Sequence, residues 1–234
     1  MIPKLLNRAT PRRRLPGTLD PVSLKNPQRR AVHMLASLLL DYPDEEWFAQ
    51  LEVLEPHIAA LPAPIAGPLT EFVAASRAAG SAQWQRSYVD TFDQKRKCSL
   101  YLSYFATGDT RKRGTALVTF LEAYRAAGFE FDAQDLPDYL PAVLEFSARS
   151  DDEIAGALLA AHVEGIEVLR AALEGMRSPW ANVVRTITLS LPPVDRATQE
   201  RILSLVSEGP PTETVGLSFL GNLPPFSPRE GTGV

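Results

Sequence analysis

The sequence predicts an all-α, single-domain bundle of about ten short helices with no sheet. Three observations point there. Apolar residues recur at intervals of three and four almost continuously from residue 26 onward. The borders of these stretches carry helix start and stop signals. No second alternating segment is available to pair with the one strand-like stretch, and no repeat of 20–50 residues marks a solenoid. The helical domain is expected over 26–208, between a basic, Pro-rich disordered tail at 1–25 and a Pro/Gly-rich flexible tail at 209–234.

Asn26 serves as an N-cap and Pro27 opens the first helix, 27–40, with Val32, Leu35, Leu38 and Leu39 on one face. Tyr42-Pro43 breaks it. Asp44, Glu45 and Glu46 then suit the positive end of a second helix, whose inner face is Trp47, Leu51 and Leu54. Pro56, Pro62, Pro64 and Pro68 predict a bent connection over 56–68. Leu69, Phe72, Val73 and Ser76 resume the helical period up to Gly80. Ser81 is read as the cap of a helix with the stripe Trp84, Tyr88 and Phe92.

Residues 98–105 fit either period and are assigned to helix because no partner strand is in view. Asp109 or Thr110 caps a helix with Leu117, Phe120, Leu121 and Tyr124 inward, ended by Gly128. After a loop at 129–135, Pro137 opens a helix with Leu140, Val143, Leu144 and Phe146. Asp151 begins the longest run, with Ile154, Leu158, Ala161, Ile166, Leu169 and Leu173 inward. Two shorter helices, 178–191 and 194–207, flank Pro192-Pro193.

Composition narrows the function. At 45% hydrophobic and 22% charged, the 234 residues are ordinary for a globular protein. The net charge of −4 is unevenly spread, with +7 over residues 1–30 and −11 over the rest. An acidic body argues against nucleic acid as a partner. No run of 18 apolar residues is present to enter a membrane, and Arg12-Arg13-Arg14 lacks the apolar stretch that a twin-arginine signal needs, so the chain is expected to be cytoplasmic. One cysteine rules out an intramolecular disulfide and a thiolate zinc cluster.

His33, His57 and His162 have no ligand spacing, and no nucleophile elbow, P-loop or dinucleotide fingerprint occurs. Cys98 follows three cations that would lower its pKa, but no base is near in sequence, and the plain reading is a half-buried helix cysteine. The chain is therefore expected not to be an enzyme, to hold no metal or cofactor, and to be a monomer or weak dimer.

Two features remain. Arg111, Lys112 and Arg113 sit in the first turn of a helix, where the dipole opposes cations, and with Lys95, Arg96 and Lys97 they form a basic patch in an acidic body. Arg111 or Arg113 is expected to pair with Asp90 or Asp93; otherwise the run is a solvated face or an anion site. Aromatic density is also high between Tyr88 and Tyr124. Such a stripe is commonly core, but tyrosine hydroxyls beside carboxylates could line a groove for an apolar, cationic peptide.

Five motifs occur in order: Tyr88-Val89-Asp90-Thr91-Phe92-Asp93, Leu100-Tyr101-Leu102-Ser103-Tyr104, Gly108-Asp109-Thr110-Arg111-Lys112-Arg113-Gly114, Leu136-Pro137-Asp138-Tyr139-Leu140-Pro141, and Leu144-Glu145-Phe146. Together they resemble the respiratory nitrate reductase delta-subunit family, the dedicated molybdenum-cofactor assembly chaperones. The resemblance is closest over 84–146 and extends loosely back to 29 through Leu38-Leu39-Leu40-Asp41-Tyr42-Pro43. The basic tail departs from the compact start expected of the family.

The resemblance implies an all-helical cytoplasmic chaperone that binds the N-terminal peptide of the apo catalytic (alpha) subunit. It would hold that subunit competent for cofactor insertion and assembly without joining the finished enzyme. Carried across by motif, the functional positions are Tyr88, Phe92, Asp93, Leu100, Tyr101, Tyr104, Asp109, Arg111, Arg113, Leu140 and Glu145. The alternatives are a maturation chaperone for another molybdoenzyme, whose relatives lack the Gly108 to Gly114 stretch in this form, and a plain helical adaptor.

Overall fold

A computed structural model describes residues 19–132, 135–150 and 153–191. Among them are ten α-helices: α1 Asn26–Leu40, α2 Glu45–Ala59, α3 Ala63–Ala79, α4 Ser81–Phe92, α5 Leu102–Thr107, α6 Lys112–Ala126, α7 Leu140–Arg149, α8 Glu153–Ala161, α9 Val163–Gly175 and α10 Trp180–Ser190. A 3-10 turn covers Arg96–Cys98. No sheet forms among the described residues; a single antiparallel bridge joins Tyr101 to Tyr139. The chain is an all-α bundle, as its periodicity requires.

α1 is the hub and lies against α7 and α10. Val32, Ala36, Leu39 and Leu40 are fully buried there. α10 also packs on α3 and α9, and its Trp180 is inaccessible to solvent. Trp180 stacks on Trp84 at 4.4 Å and meets Phe72, Tyr88 and Phe92 edge-on, so one indole ties α3, α4 and α10 together.

Several side chains around this junction are paired, whereas the buried indole N–H groups of Trp84 and Trp180 have no hydrogen-bond partner among the described residues. His33 of α1 lies 2.9 Å from Ser147 Oγ of α7 and 2.9 Å from Ser190 Oγ of α10. The Ser190 hydroxyl already donates to Ile187 O at 2.7 Å. Nε2 of His33 must therefore donate to Ser190, and Nδ1 accepts from Ser147. In α9 the buried Arg170 is held by Glu167 at 2.6 Å and Glu174 at 2.7 Å.

The structure departs from the sequence reading at several places. Residues 19–25, assigned to the tail, dock on the body: Val22 N donates to Leu189 O at 2.8 Å and Leu24 is buried. The remaining tail residues 1–18, the helix expected at 194–207 and the tail from 209 lie outside the described residues.

The Pro-rich connection is far shorter than 56–68. Pro56 sits within α2 and Pro68 within α3, while Pro64 occupies the permitted first turn of α3. Gly80, with φ of 73°, is the N-cap of α4, and Ser81 is the first helical residue. α1 is capped at Lys25 rather than at Asn26. Neither Asp109 nor Thr110 caps α6, whose N-cap is Arg111 and whose fully buried residues are Phe120 and Tyr124 alone.

The long run expected from Asp151 is two helices. At His162 the backbone N–H turns to Leu159 O, and the ring Nδ1 lies 2.8 Å from Leu158 O, the carbonyl that the next turn would use. Ala161 is exposed at the break.

Candidate functional site

The motif at 136–141 and the motif at 100–104 form one unit. Leu140 N donates to Leu100 O at 2.7 Å and Leu102 N to Asp138 O at 2.9 Å, which leaves Tyr101 and Tyr139 paired across the bridge. This pairing occupies Asp138 to Leu140, so α7 starts at Leu140 and not at Pro137. It also supplies the partner that 98–105 was expected to lack: Tyr101 is extended, and helix resumes only at Leu102. Asp138 is fully buried, and its Oδ2 accepts from Ser103 N at 3.1 Å and Ser103 Oγ at 2.5 Å. A carboxylate distant in sequence thereby caps the start of α5. Tyr124 of α6 clamps the same turn, its hydroxyl donating to Pro137 O at 2.6 Å.

Four tyrosines continue outward from this unit. Tyr88 donates to Leu40 O at 3.0 Å, and with its one proton committed it accepts from Tyr139 at 3.2 Å. Tyr42 meets Tyr88 edge-on at 5.5 Å, and Tyr101 lies 5.5 Å from Tyr139. Tyr88 anchors the row from within at 5% exposure, Tyr139 and Tyr101 are half-buried, and Tyr42 at one end is 46% exposed and open to a ligand.

Acids border the row. Tyr101 points its hydroxyl at Asp135 Oδ1, 3.4 Å away. Desolvation, then Asp135, holds the Tyr101 hydroxyl above its ordinary pKa. The Tyr88 and Tyr139 hydroxyls are also raised, chiefly by burial, so all three stay protonated donors at neutral pH. Desolvation also raises the Asp41 carboxyl; the Tyr42 N–H works against this, while Asp135 and Asp44 add to it. Asp135 and Asp44 thus both act against the charge on Asp41, and an incoming cation would relieve it. Arg113 closes the far side, its guanidinium 5.5 Å from the Tyr101 ring centre and 3.5 Å from Asp109.

The family model for the nitrate reductase delta subunit matches residues 58–185, more than half of the chain. The chain belongs to the nitrate reductase delta subunit family. Three relatives illustrate the likeness. The nitrate reductase-like protein NarX of Mycobacterium tuberculosis is 36% identical over 156 residues, 67% of this chain and 24% of that protein. The probable nitrate reductase molybdenum cofactor assembly chaperone NarJ of Bacillus subtilis is 32% identical over 164 residues, 70% of this chain and 89% of that one. The nitrate reductase molybdenum cofactor assembly chaperone NarJ of Escherichia coli is 32% identical over 151 residues, 63% of this chain and 64% of that one. The chain thus spans about a quarter of the length of the mycobacterial relative.

Within this member of the family, the motif positions divide in space. Tyr88, Phe92, Leu100, Tyr104 and Leu140 are buried and shape the site from beneath. Tyr101, Asp109 and Arg113 meet at the surface. Arg111 is exposed at the α6 cap, and Asp93 is exposed at the end of α4. Arg113 faces Asp109 and Tyr101 rather than Asp90 or Asp93. Lys95, expected in a free basic patch, donates to Asp90 O at 2.7 Å. Glu145 lies elsewhere, paired with Arg149 at 2.8 Å on α7.

Tyr42, Tyr139, Asp41, Asp135 and Asp138 were not among the predicted positions. All but Asp135 stand inside motifs quoted for the resemblance, and the signal available was the polar residue next to each tyrosine. Cys98 is 1% exposed, and desolvation pushes its thiol up to about 11 against the pull of Lys95. Among the described residues no group of three or more His, Cys, Asp or Glu is placed to hold a metal. No described helix is long and apolar enough to cross a membrane.

Proposed function

We propose that this chain is the assembly chaperone of a respiratory nitrate reductase. It binds the apo catalytic (alpha) subunit through that subunit's N-terminal peptide and keeps it competent for molybdenum-cofactor insertion. It leaves before the enzyme is complete and catalyses nothing itself. It works in the cytoplasm as a monomer or weak dimer.

The observation that carries this reading is the tyrosine row from Tyr88 to Tyr42, with Asp41, Asp44 and Asp135 beside it, in a member of the nitrate reductase delta subunit family. Aromatic faces take apolar side chains, while the carboxylates favour a cationic flank. An amphipathic N-terminal helix with basic residues has that chemistry. The carry-over positions Tyr101, Asp109 and Arg113 belong to this face, and Tyr88, Phe92, Leu100, Tyr104 and Leu140 support it.

The test is complementation. Cells lacking the chain should make a catalytic subunit devoid of molybdenum and lack nitrate reductase activity. The native chain should restore both, and a chain with Tyr101→Ala and Arg113→Ala should restore little while being equally abundant. Full molybdenum loading without the chain would refute the chaperone role, and full rescue by the double variant would refute this face.

A further inference from the structure

A second concave site lies between the 129–132 loop and α7. It encloses about 180 Å³, with Tyr124, Phe129, Phe131 and Phe146 as aromatic walls and Glu130 and Asp132 also lining it. The rings brace one another. Tyr124 stacks on Phe131 at 5.4 Å, and Phe146 meets Tyr124 at 4.8 Å and Phe129 at 5.3 Å, both edge-on. Tyr124 and Phe146 are buried, whereas Phe129 and Phe131 are half-buried and keep ring surface open. The Tyr124 hydroxyl already donates to Pro137 O at 2.6 Å, so these walls offer π-surface and no side-chain donor.

The charges select a cation. Glu130 and Asp132 are exposed carboxylates that make no ion pair with another described residue. Arg149, which also lines the cavity, shows the chemistry in miniature. Its guanidinium sits 5.9 Å from the Phe129 ring centre and 2.8 Å from Glu145 Oε1. A guanidinium between a ring and a carboxylate is thus already accommodated, and two further carboxylates line the same cavity.

Size decides what kind of cation. Small-molecule sites run to about 300–1,000 Å³. A cavity of about 180 Å³ suits one long side chain instead of a whole metabolite. Shape then favours arginine over lysine. A planar guanidinium stacks on a ring while its fork bonds a carboxylate, whereas an ammonium is a compact, strongly hydrated point charge.

We infer that this cavity is a docking pocket for an arginine side chain of a partner protein, separate from the segment assigned to the tyrosine row. The guanidinium lies against the open rings and pairs with Glu130 and Asp132. Arg149 competes with it for Glu145 and for the Phe129 face. The inference goes beyond the chaperone reading and would stand if the tyrosine row bound nothing.

The test is a backbone-amide NMR titration of the full chain with the capped peptide Gly-Gly-Arg-Gly-Gly and its lysine counterpart. The arginine peptide should shift the amides of 129–132 and 145–149 and saturate with a Kd of about 1 mM. The lysine peptide should bind about three-fold more weakly or worse. Glu130→Gln with Asp132→Asn should weaken the arginine peptide about five-fold. Arg149→Gln, which frees Glu145 and removes a like charge, should tighten it about three-fold. All three altered positions are exposed, and unchanged amide shifts elsewhere report an intact fold. Shifts centred on the tyrosine row instead, equal binding of the two peptides, an unchanged Kd in the Glu130 and Asp132 double variant, unchanged or weaker binding to Arg149→Gln, or no shift at about 10 mM peptide would each overturn the inference.

Discussion

His33 joins α1, α7 and α10, and its burial disfavours the charged ring. Burial, with help from nearby Arg29, pushes its pKa down from 6.5 to about 4. Between those values the unfolded chain takes up a proton that the folded chain refuses. Stability from this group is intact above pH 6.5 and is lost as pH falls towards 4, by about 3 kcal/mol at the limit. His33→Gln keeps a donor and an acceptor and removes the titration, so its denaturant midpoint should fall less steeply than the parent's between pH 6.5 and 5. Parallel curves would contradict this.

Asp138 is the other residue whose role is local but whose effect is long-range. Asp138→Ala strands the Ser103 N–H and hydroxyl in a buried site, an expected cost of about 2 kcal/mol, while Asp138→Asn keeps one acceptor and should lose less. Urea titration distinguishes the two. Both residues were visible in the sequence, but their partners were not, because Ser147, Ser190 and Ser103 lie 35 or more positions away.

Between elements, α5 crosses close over α9 at Gly165. A Cβ on Gly165 would lie 2.8 Å from Phe105 Cδ2 and 3.0 Å from Phe105 Cβ, and Phe105 is itself buried. Gly165→Ala should therefore destabilise by about 1–3 kcal/mol, overriding the usual gain of alanine in a helix. Phe105→Leu should recover part of the loss in the double variant. An equal loss from Gly165→Ala in both backgrounds would show that the crossing is not the cause.

The basic turn of α6 is the opposite case. Arg113 is paired at 3.5 Å with an Asp109 side chain that is 63% exposed, so Arg113→Ala should cost under about 1 kcal/mol, well below the loss expected for a buried pair. Its effect should appear in ligand binding instead, with Lys112→Ala neutral in both assays.

Helix existence was legible almost everywhere because the 3.6-residue period survives in the buried faces. Boundaries failed where a distant group took over a helix end: the Tyr101–Tyr139 bridge shortened α7, and the His162 ring split α8 from α9. The proline cluster misled because Pro64 falls in a first turn, where the lost N–H had no partner anyway, while α2 and α3 run through Pro56 and Pro68 in spite of the backbone bond each removes.

At the scale of the molecule, charge and aromatics are arranged as two acid-bordered aromatic sites on one acidic bundle, the tyrosine row and the α7 pocket. Only the density of tyrosines and the asymmetry of charge were legible beforehand. That Tyr42 joins Tyr88 across 46 positions, and that Glu145 belongs to the second site, are properties of the packing. The central claim is that the tyrosine row binds the client's N-terminal peptide.

Calorimetry tests it most directly, with the full chain and a synthetic peptide of the first residues of the nitrate reductase catalytic subunit from the same genome. The account predicts a Kd of about 10 μM or tighter, near −7 kcal/mol, with a negative heat-capacity change from apolar burial. Tyr42→Ala and Tyr101→Ala should each weaken it about ten-fold, with unchanged helix content. Absence of binding at about 100 μM peptide, or equal affinity in both variants and the parent, would contradict it.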